Sequence, residues 1–183
     1  MSDAVRGAMG QLKLFDIYSN VNESDIHYTP RGISSQIVSW ANPKGVCLDP
    51  FRGDGSFYDF LPQPKLWCEL QEGKDFFQFG GYVDWIISNP PYSIFCDVLK
   101  HSFEVSENVI YLTFMQKFFS HKIMRLTESW GGIKRILVVG GGNKIGFSCG
   151  FVTAAFHLKK GYKGSADLTL LSENNTSTRR NYV

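Results

Sequence analysis

The sequence lacks the hallmarks of several protein classes. Among its 183 residues, 19 Lys and Arg nearly balance 17 Asp and Glu, so the net charge of +2 gives no overall attraction to polyanions. Any contact with nucleic acid must therefore come from local basic clusters. No apolar run reaches membrane-spanning length, and residues 1–10 contain no hydrophobic signal core. We therefore expect a soluble intracellular protein.

Patterns for metal binding and for disulfides are also missing. The four cysteines are widely separated, and neither they nor the four histidines form a C-x-x-C, H-E-x-x-H or similar array. The sequence therefore gives no support for structural zinc or metal catalysis. Three of the cysteines lie in or beside apolar runs, where we expect reduced core residues.

Short apolar runs alternate with helical segments along most of the chain. Thr29-Pro30 predicts a helix start, with Thr as the N-cap and Pro at the first helical position. The connection at 140–150 is too short for a crossover helix, so the two strands beside it form an antiparallel pair. This alternation predicts an α/β fold with a mostly parallel seven-stranded sheet, an antiparallel final strand and helices on both faces. The predicted strands are Val46–Leu48, Leu66–Cys68, Asp75–Phe79, Val83–Ser88, Val109–Leu112, Ile136–Val139 and Phe151–Leu158.

The first of two unusual loops, with the sequence DPFRGDG at 49–55, follows the first predicted strand. Its two glycines let the backbone approach a ligand, and Asp49 at the strand end can bind a cationic or hydroxylated group. The loop lacks the third glycine of a dinucleotide fingerprint and the Gly-Lys-Ser/Thr of a phosphate loop. We therefore expect a ligand without a phosphate near this loop, with an ordinary strand-to-helix turn as the alternative.

The second loop is Asn89-Pro90-Pro91-Tyr92, after the apolar strand at 83–88. The two prolines fix an extended path and remove two N–H donors, which leaves carbonyl acceptors beside an amide and an aromatic ring. Such a set suits a planar group that bears an NH2, with Asn89 and a proline carbonyl accepting its hydrogens and Tyr92 stacking on the ring. A rigid loop that closes the strand is the alternative.

Both loops resemble motifs of the methyltransferases that use S-adenosylmethionine (SAM) to modify amino groups, especially the N6-adenine methyltransferases of nucleic acids. The cofactor motif of that family is similar to DPFxGxG at 49–55, and its catalytic motif matches NPPY at 89–92 in full. Tyr28-Thr29-Pro30 resembles the extra cofactor motif that precedes the sheet in one permuted class. The resemblance spans about Tyr28 to Leu158 and implies a Rossmann-like methyltransferase fold.

The resemblance also implies the roles of individual residues. Glu69 is similar to the acid that holds the ribose hydroxyls, Asp75-Phe76 to the pair that receives the cofactor adenine, and Asp49 to the residue at the methionine end. The implied catalytic residues are Asn89, Pro90, Pro91 and Tyr92. The implied cofactor-binding residues are Tyr28, Thr29, Pro30, Asp49, Pro50, Phe51, Gly53, Gly55, Glu69, Asp75, Phe76 and Asn89.

The activity that the resemblance implies is methyl transfer from SAM to N6 of adenine in nucleic acid, with DNA favoured over RNA and S-adenosylhomocysteine as the product. Asn89 and the Pro90 carbonyl would concentrate the lone pair on the amine nitrogen, and the methyl group would move by direct displacement. A base inside a duplex cannot reach such a pocket, so it must be flipped out or single-stranded.

The expected organisation is an N-terminal extension at 1–27, a methyltransferase domain at 28–160 and a C-terminal tail at 161–183, with no separate target-recognition domain. This implies low specificity, a loop-based reader, or a partner chain in the form of a homodimer or a separate specificity subunit. We expect no membrane partner, and a place in the cytoplasm of a bacterial or phage-infected cell.

Several residues outside the two loops are candidates for contact with the substrate. Lys117, Asn143 and Lys144 are candidates for contact with the substrate backbone, against the alternatives of a solvated helix face and a flexible hairpin loop. Beside Lys117, Phe118 and Phe119 fit the core better than a place beside the target base.

Two other functions remain open. Protein N5-glutamine methyltransferases use a similar Asn-Pro-Pro-Tyr, but their cofactor loop usually lacks the Pro50-Phe51 pair and they usually carry an extra N-terminal helical domain. A non-catalytic partner subunit with this fold commonly loses the catalytic loop, whereas both loops are intact here. These features favour the adenine enzyme.

Overall fold

The described part of the chain forms one sheet flanked by helices. A computed structural model describes residues 17–19, 21, 27–142 and 150–171. The helices are α1 (Arg31–Ala41), α2 (Phe95–Val105), α3 (Met115–Phe118) and α4 (His121–Trp130). The strands are β1 (Cys47–Asp49), β2 (Lys65–Trp67), β3 (Val83–Ser88), β4 (Ser106–Phe114), β5 (Gly131–Gly141), β6 (Val152–Lys160) and β7 (Asp167–Leu170). One-turn 3-10 helices lie at Tyr58–Phe60, Leu70–Glu72 and Phe76–Gln78.

The sheet has the strand order β2-β1-β3-β4-β6-β5-β7. Neighbouring strands are parallel except β6, which runs antiparallel to both β4 and β5. Since the loops at 49–55 and 89–92 follow β1 and β3, which are adjacent and parallel, the two loops leave the same edge of the sheet.

Both faces of the sheet are buried, and successive strand residues face two different cores. On one face Leu48, Ile86 and Val109 pack with α2, Phe118 of α3 and Ile123 of α4. On the other face Cys47, Ile87 and Ile110 pack with α1. Burial on both faces explains why these strands are nearly continuous apolar runs in the sequence.

The predicted fold class is confirmed, and six of the seven predicted strands are present. The exception is Asp75–Phe79, where the chain forms a 3-10 turn because the Asp75 side chain accepts a hydrogen bond from Phe77 N and so competes with strand pairing. The antiparallel strand, β6, is not the final one. Strand β7 follows it and pairs in parallel with β5, inside the range 161–183 that was predicted to be a tail.

Helix α1 begins one residue later than predicted. Pro30 occupies the cap position, and its carbonyl accepts hydrogen bonds from the N–H groups of Ile33 and Ser34. Because Pro30 and not Thr29 is the cap residue, the Thr29 side chain lies one position too early to cap the helix. Its hydroxyl is buried and has no hydrogen-bond partner among the described residues.

The neighbours Phe118 and Phe119 allow a test of the core on the α2 side of the sheet. Phe118 is fully buried and stacks on Phe156, with ring centroids 3.8 Å apart and an angle of 6° between the ring planes, whereas Phe119 is 45% exposed. We expect Phe118→Ala to lower the free energy of unfolding by about 3–5 kcal/mol. Phe119→Ala should cost clearly less. Urea unfolding followed by tryptophan fluorescence measures both, and equal losses would contradict this packing.

Candidate active site

A cavity of about 320 Å³ lies at the sheet edge from which both loops leave. Eight of the predicted cofactor residues line it, namely Tyr28, Thr29, Pro50, Phe51, Gly53, Glu69, Phe76 and Asn89. Pro91 of the second loop also lines it, whereas Pro30, Asp49, Gly55, Asp75, Pro90 and Tyr92 do not. The structure therefore brings most of the predicted set together around one space.

We call the loop at 49–55 the glycine loop. It requires glycine at position 53 for two reasons. Its φ of +51° is in the left-handed region, and a Cβ there would lie 3.1 Å from the Tyr28 ring. The N–H of Gly53 donates to Glu69 Oε2 at 2.8 Å, while Glu69 Oε1 accepts from Gln71 N at 3.2 Å. These bonds fix the Glu69 carboxylate at the cavity wall and leave each oxygen a further acceptor position.

Asp49 is buried behind the glycine loop. Its Oδ1 accepts from Ser88 Oγ at 2.6 Å and from Phe51 N at 3.3 Å, while Oδ2 has no hydrogen-bond partner among the described residues. Burial raises the pKa of this carboxyl to about 7, although the hydrogen bond from Ser88 opposes the shift. The Asp49 side chain does not line the cavity and instead joins β1 to β3, so its role at the methionine end stays a prediction.

Hydrogen bonds fix the orientation of the Asn89 amide. Its Nδ2 donates to the carbonyl of His27 at 2.8 Å, and its Oδ1 accepts from the Tyr92 hydroxyl at 3.1 Å. One acceptor position of Oδ1 is left for another donor. The second loop thus presents a fixed amide oxygen at the cavity.

Tyr92 does not occupy the open stacking position that the sequence predicts. Its ring is only 6% exposed and lies 4.5 Å from the Phe114 ring, measured between centroids. Phe114 in turn lies 5.8 Å from Phe151, which is 55% exposed. We call Tyr92, Phe114 and Phe151 the aromatic row; it leads from the NPPY loop to the surface. The sequence analysis did not single out Phe114 or Phe151. For Phe114 there was a usable signal, an aromatic residue at the end of the strand next to β3.

The expected adenine site contains an additional residue. Asp75 Oδ1 accepts from the Tyr18 hydroxyl at 2.6 Å, and Tyr18 itself lines the cavity. Burial and this hydrogen bond raise the pKa of Tyr18, so its hydroxyl stays a donor at neutral pH. Phe76 is buried against Phe51, with ring centroids 5.5 Å apart. No motif in the N-terminal stretch pointed to Tyr18.

Charged groups at the cavity wall are mainly acidic. The wall contains Asp54, Glu69 and Glu72 but only one Lys or Arg among the described residues, which is Arg52. Arg52 forms an ion pair with Glu72 and lies over the Trp67 ring. The Nε of Arg52 is buried without a hydrogen-bond partner among the described residues. A ligand with a positive charge and several polar atoms fits this wall.

The remaining predicted residues lie elsewhere. Lys117 is exposed on α3, away from the cavity wall, while Asn143 and Lys144 lie outside the described residues. Within the described ranges no group of three or more His, Cys, Asp or Glu could hold a metal ion. No helix in that part of the chain has the length and apolar character needed to cross a bilayer.

The raised pKa of Asp49 predicts a pH dependence of stability. An unfolded Asp titrates at about pH 4, so between about pH 4 and about pH 7 the folded chain holds the extra proton. The free energy of unfolding should therefore fall as the pH rises through this window, by at most about 1.4 kcal/mol per unit. Urea unfolding at several pH values should show that Asp49→Asn flattens the fall and that Asp97→Asn, an exposed control, does not. An unchanged slope in Asp49→Asn would contradict the buried carboxyl.

No family model matches the sequence, and no curated protein matches it significantly. Solved structures do match the fold. A protein of Listeria monocytogenes assigned as a class I SAM-dependent methyltransferase gives a TM-score of 0.65 at 12% identity, covering 91% of this chain and 72% of its own. A protein of Vibrio vulnificus YJ016 assigned as the modification subunit of a type I restriction enzyme gives 0.58 at 14% identity, covering 91% and 51%.

An archaeal protein extends this likeness. A Pyrococcus horikoshii protein assigned as an RNA methyltransferase gives a TM-score of 0.54 at 15% identity, covering 71% of this chain and 82% of its own. The present chain spans about half the length of the modification subunit. From the strand order and these superpositions, the chain has the Rossmann-like fold of the class I SAM-dependent methyltransferases.

Proposed function

We propose that the chain binds SAM in this cavity and transfers its methyl group to N6 of adenine in a polynucleotide, with DNA favoured over RNA. One observation carries the proposal: Asn89 and Pro91 of NPPY line the same cavity as the glycine loop and Glu69. An amide acceptor suited to an aromatic amine is thus next to a site suited to the cofactor.

The cavity wall fits SAM in charge and in hydrogen-bonding capacity. When bound, SAM supplies an electrophilic methyl group on a positively charged sulfur, and the acids at the wall outnumber Arg52. Glu69 has acceptor positions for the ribose hydroxyls, and Phe76 with Phe51 offers an aromatic surface for the adenine. Thr29 Oγ1 and Arg52 Nε are buried polar atoms that would gain partners from the methionine portion.

Asn89 would act on the amine of the target base. The lone pair of adenine N6 is delocalised into the ring, and hydrogen bonds from the amine to Asn89 Oδ1 and the Pro90 carbonyl would concentrate it on nitrogen. The amide is already oriented by His27 and Tyr92, so no reorganisation is needed when the base arrives. The amine nitrogen would form the new bond to the methyl carbon and release its extra proton to solvent, with S-adenosylhomocysteine as the leaving group.

The target base would lie at the aromatic row. Its planar ring needs an apolar surface once it leaves the stack, and Phe151 gives the row an exposed end. The likeness to a type I modification subunit supports DNA as the polymer, and that protein is a subunit of a larger enzyme. A partner chain that supplies sequence specificity belongs to the same proposal.

The amide of Asn89 provides the direct test of this chemistry. We expect Asn89→Ala to lower methyl transfer to an adenine-containing oligonucleotide by a factor of at least about 100, because a fixed acceptor at the reacting atom is lost. The dissociation constant for SAM, measured by calorimetry, should change little. Tritiated SAM and nucleoside analysis measure the product.

The design includes a matched control and separate substrates. Gln36→Ala removes an amide from the helical part of α1, away from the cavity, and should leave the rate unchanged. Wild-type protein is assayed with DNA, RNA and protein substrates. Label in glutamine instead of N6-methyladenine, or no label in any polymer, would overturn the proposed function.

Glu69 provides the test on the cofactor side. Glu69→Gln keeps the size of the side chain but replaces the charged carboxylate, which accepts a hydrogen bond from Gly53 N and, as proposed, from the ribose hydroxyls. We expect SAM affinity to fall by about 10-fold or more, which corresponds to about 1.4 kcal/mol. Glu104→Gln, at an exposed position on α2, is the control. Equal calorimetric affinities for the two variants would contradict the ribose role.

A further inference from the structure

The charged residues are divided unequally along the chain. Residues 1–107 contain 14 of the 17 acidic residues, whereas residues 108–166 contain nine Lys and Arg and a single acid, Glu128. The second range comprises β4, α3, α4, β5 and β6. The small net charge therefore conceals a basic half, a distribution typical of proteins that bind polyanions.

Part of this charge is concentrated on the helices that follow β4. Lys117 on α3 and Lys122 and Arg125 on α4 are all exposed, and none has an ion-pair partner among the described residues. By contrast, Arg31, Arg52 and Lys100 in the acidic half are paired with Asp59, Glu72 and Asp97. We call the three unpaired cations, together with Phe119, the basic surface. Its charges remain available to an anion from outside.

The packing of these helices directs the basic surface outward. Ile123 and Thr127 of α4 are buried, while Lys122 and Arg125, three residues apart, lie on the exposed side. Phe119 was expected in the core, but Phe118 fills that place and leaves Phe119 45% exposed, two residues after Lys117 and three before Lys122. Cations interleaved with an accessible ring form a surface suited to a flexible nucleic-acid strand.

The basic surface starts at the proposed target-base site. Strand β4 ends at Phe114, α3 begins at the next residue, and the Phe114 ring lies 4.5 Å from that of Tyr92. A strand whose adenine lies at the aromatic row would have α3 beside it, because α3 directly follows Phe114.

We propose that the basic surface binds single-stranded nucleic acid next to the target nucleotide, with Lys117, Lys122 and Arg125 on phosphates and Phe119 under a neighbouring base. This inference rests on the proposed function and adds the form of the substrate. The exposed ring favours a single strand, because a duplex hides the faces of its bases from a side chain on a helix surface. Phosphate contacts carry no sequence information, so this binding is independent of the target sequence.

The test uses oligo-dT, which contains no adenine and so measures this surface without the methylation site. Fluorescence anisotropy is recorded with a labelled strand of about 20 nucleotides, longer than the site of one typical binding domain, over a series of salt concentrations. For Lys117→Gln/Lys122→Gln we expect the slope of log affinity against log salt to fall by about 1.4, the value for two lost contacts on a single strand.

The matched control removes two lysines at the opposite edge of the sheet. Lys44 precedes β1, and Lys160 pairs with Gly131 at the start of β5, so both lie at the amino ends of the parallel strands. Lys44→Gln/Lys160→Gln changes the net charge equally and should leave the slope unchanged. Equal effects of the two double variants would show that only overall charge matters and would overturn the proposal.

Phe119 tests the stacking contact separately. We expect Phe119→Ala to weaken oligo-dT binding at least about fivefold and Phe119→Tyr to restore it, with thermal unfolding confirming that both variants fold. Tighter binding of a duplex than of oligo-dT, or no binding of oligo-dT, would overturn the proposal. If oligo-dT binds as expected but an adenine-containing strand is not methylated, only the proposed function is refuted. If that strand is methylated but neither Lys117→Gln/Lys122→Gln nor Phe119→Ala changes oligo-dT binding, only this inference is refuted.

Discussion

A hydrogen bond between Ser88 Oγ and Asp49 Oδ1 joins the ends of β1 and β3 inside the protein. The glycine loop begins at Asp49, and NPPY begins immediately after Ser88. Because the Asp49 carboxyl is buried away from water, this hydrogen bond is directional and costly to lose. The protein interior therefore holds the two loops in place relative to each other. The proposed chemistry depends on this constraint, because an amine acceptor and a methyl donor must be held within reacting distance of each other.

The parts of the site that the sequence predicts are those with strong local chemistry. Two prolines allow few backbone paths for NPPY, and Gly53 tolerates a left-handed φ that other residues resist. Each loop also follows an apolar strand, so the sheet alone places both at one edge. For these reasons the meeting of the two loops at one edge of the sheet was predictable from residue order, whereas Glu69 was singled out only by the family resemblance.

Other features depend on contacts between distant segments. Tyr18 enters the cavity through a hydrogen bond to Asp75, which is 57 residues away along the chain. Strand β7 has only four residues, all exposed, so its alternation of polar and apolar residues is too short to mark a strand in the sequence. The helical period of α3 and α4 could not decide which of two adjacent phenylalanines faces the core; stacking on Phe156 decides it in favour of Phe118. These features are decided by contacts between segments that are far apart in the chain, which a single sequence does not reveal.

The same sheet separates two kinds of charge. Glu69 and Glu72 line the cavity beside β1 and β2, while the cations of the basic surface follow β4, on the other side of the NPPY loop. The proposed cofactor is a cation and the proposed polymer a polyanion, so each would meet complementary charge in its own half. NPPY follows β3, between the two halves, so in the proposed reaction one amide oxygen would act where the two ligands meet. The separation also disfavours binding of the polymer in the cavity proposed for the cofactor, because its phosphates would face carboxylates there.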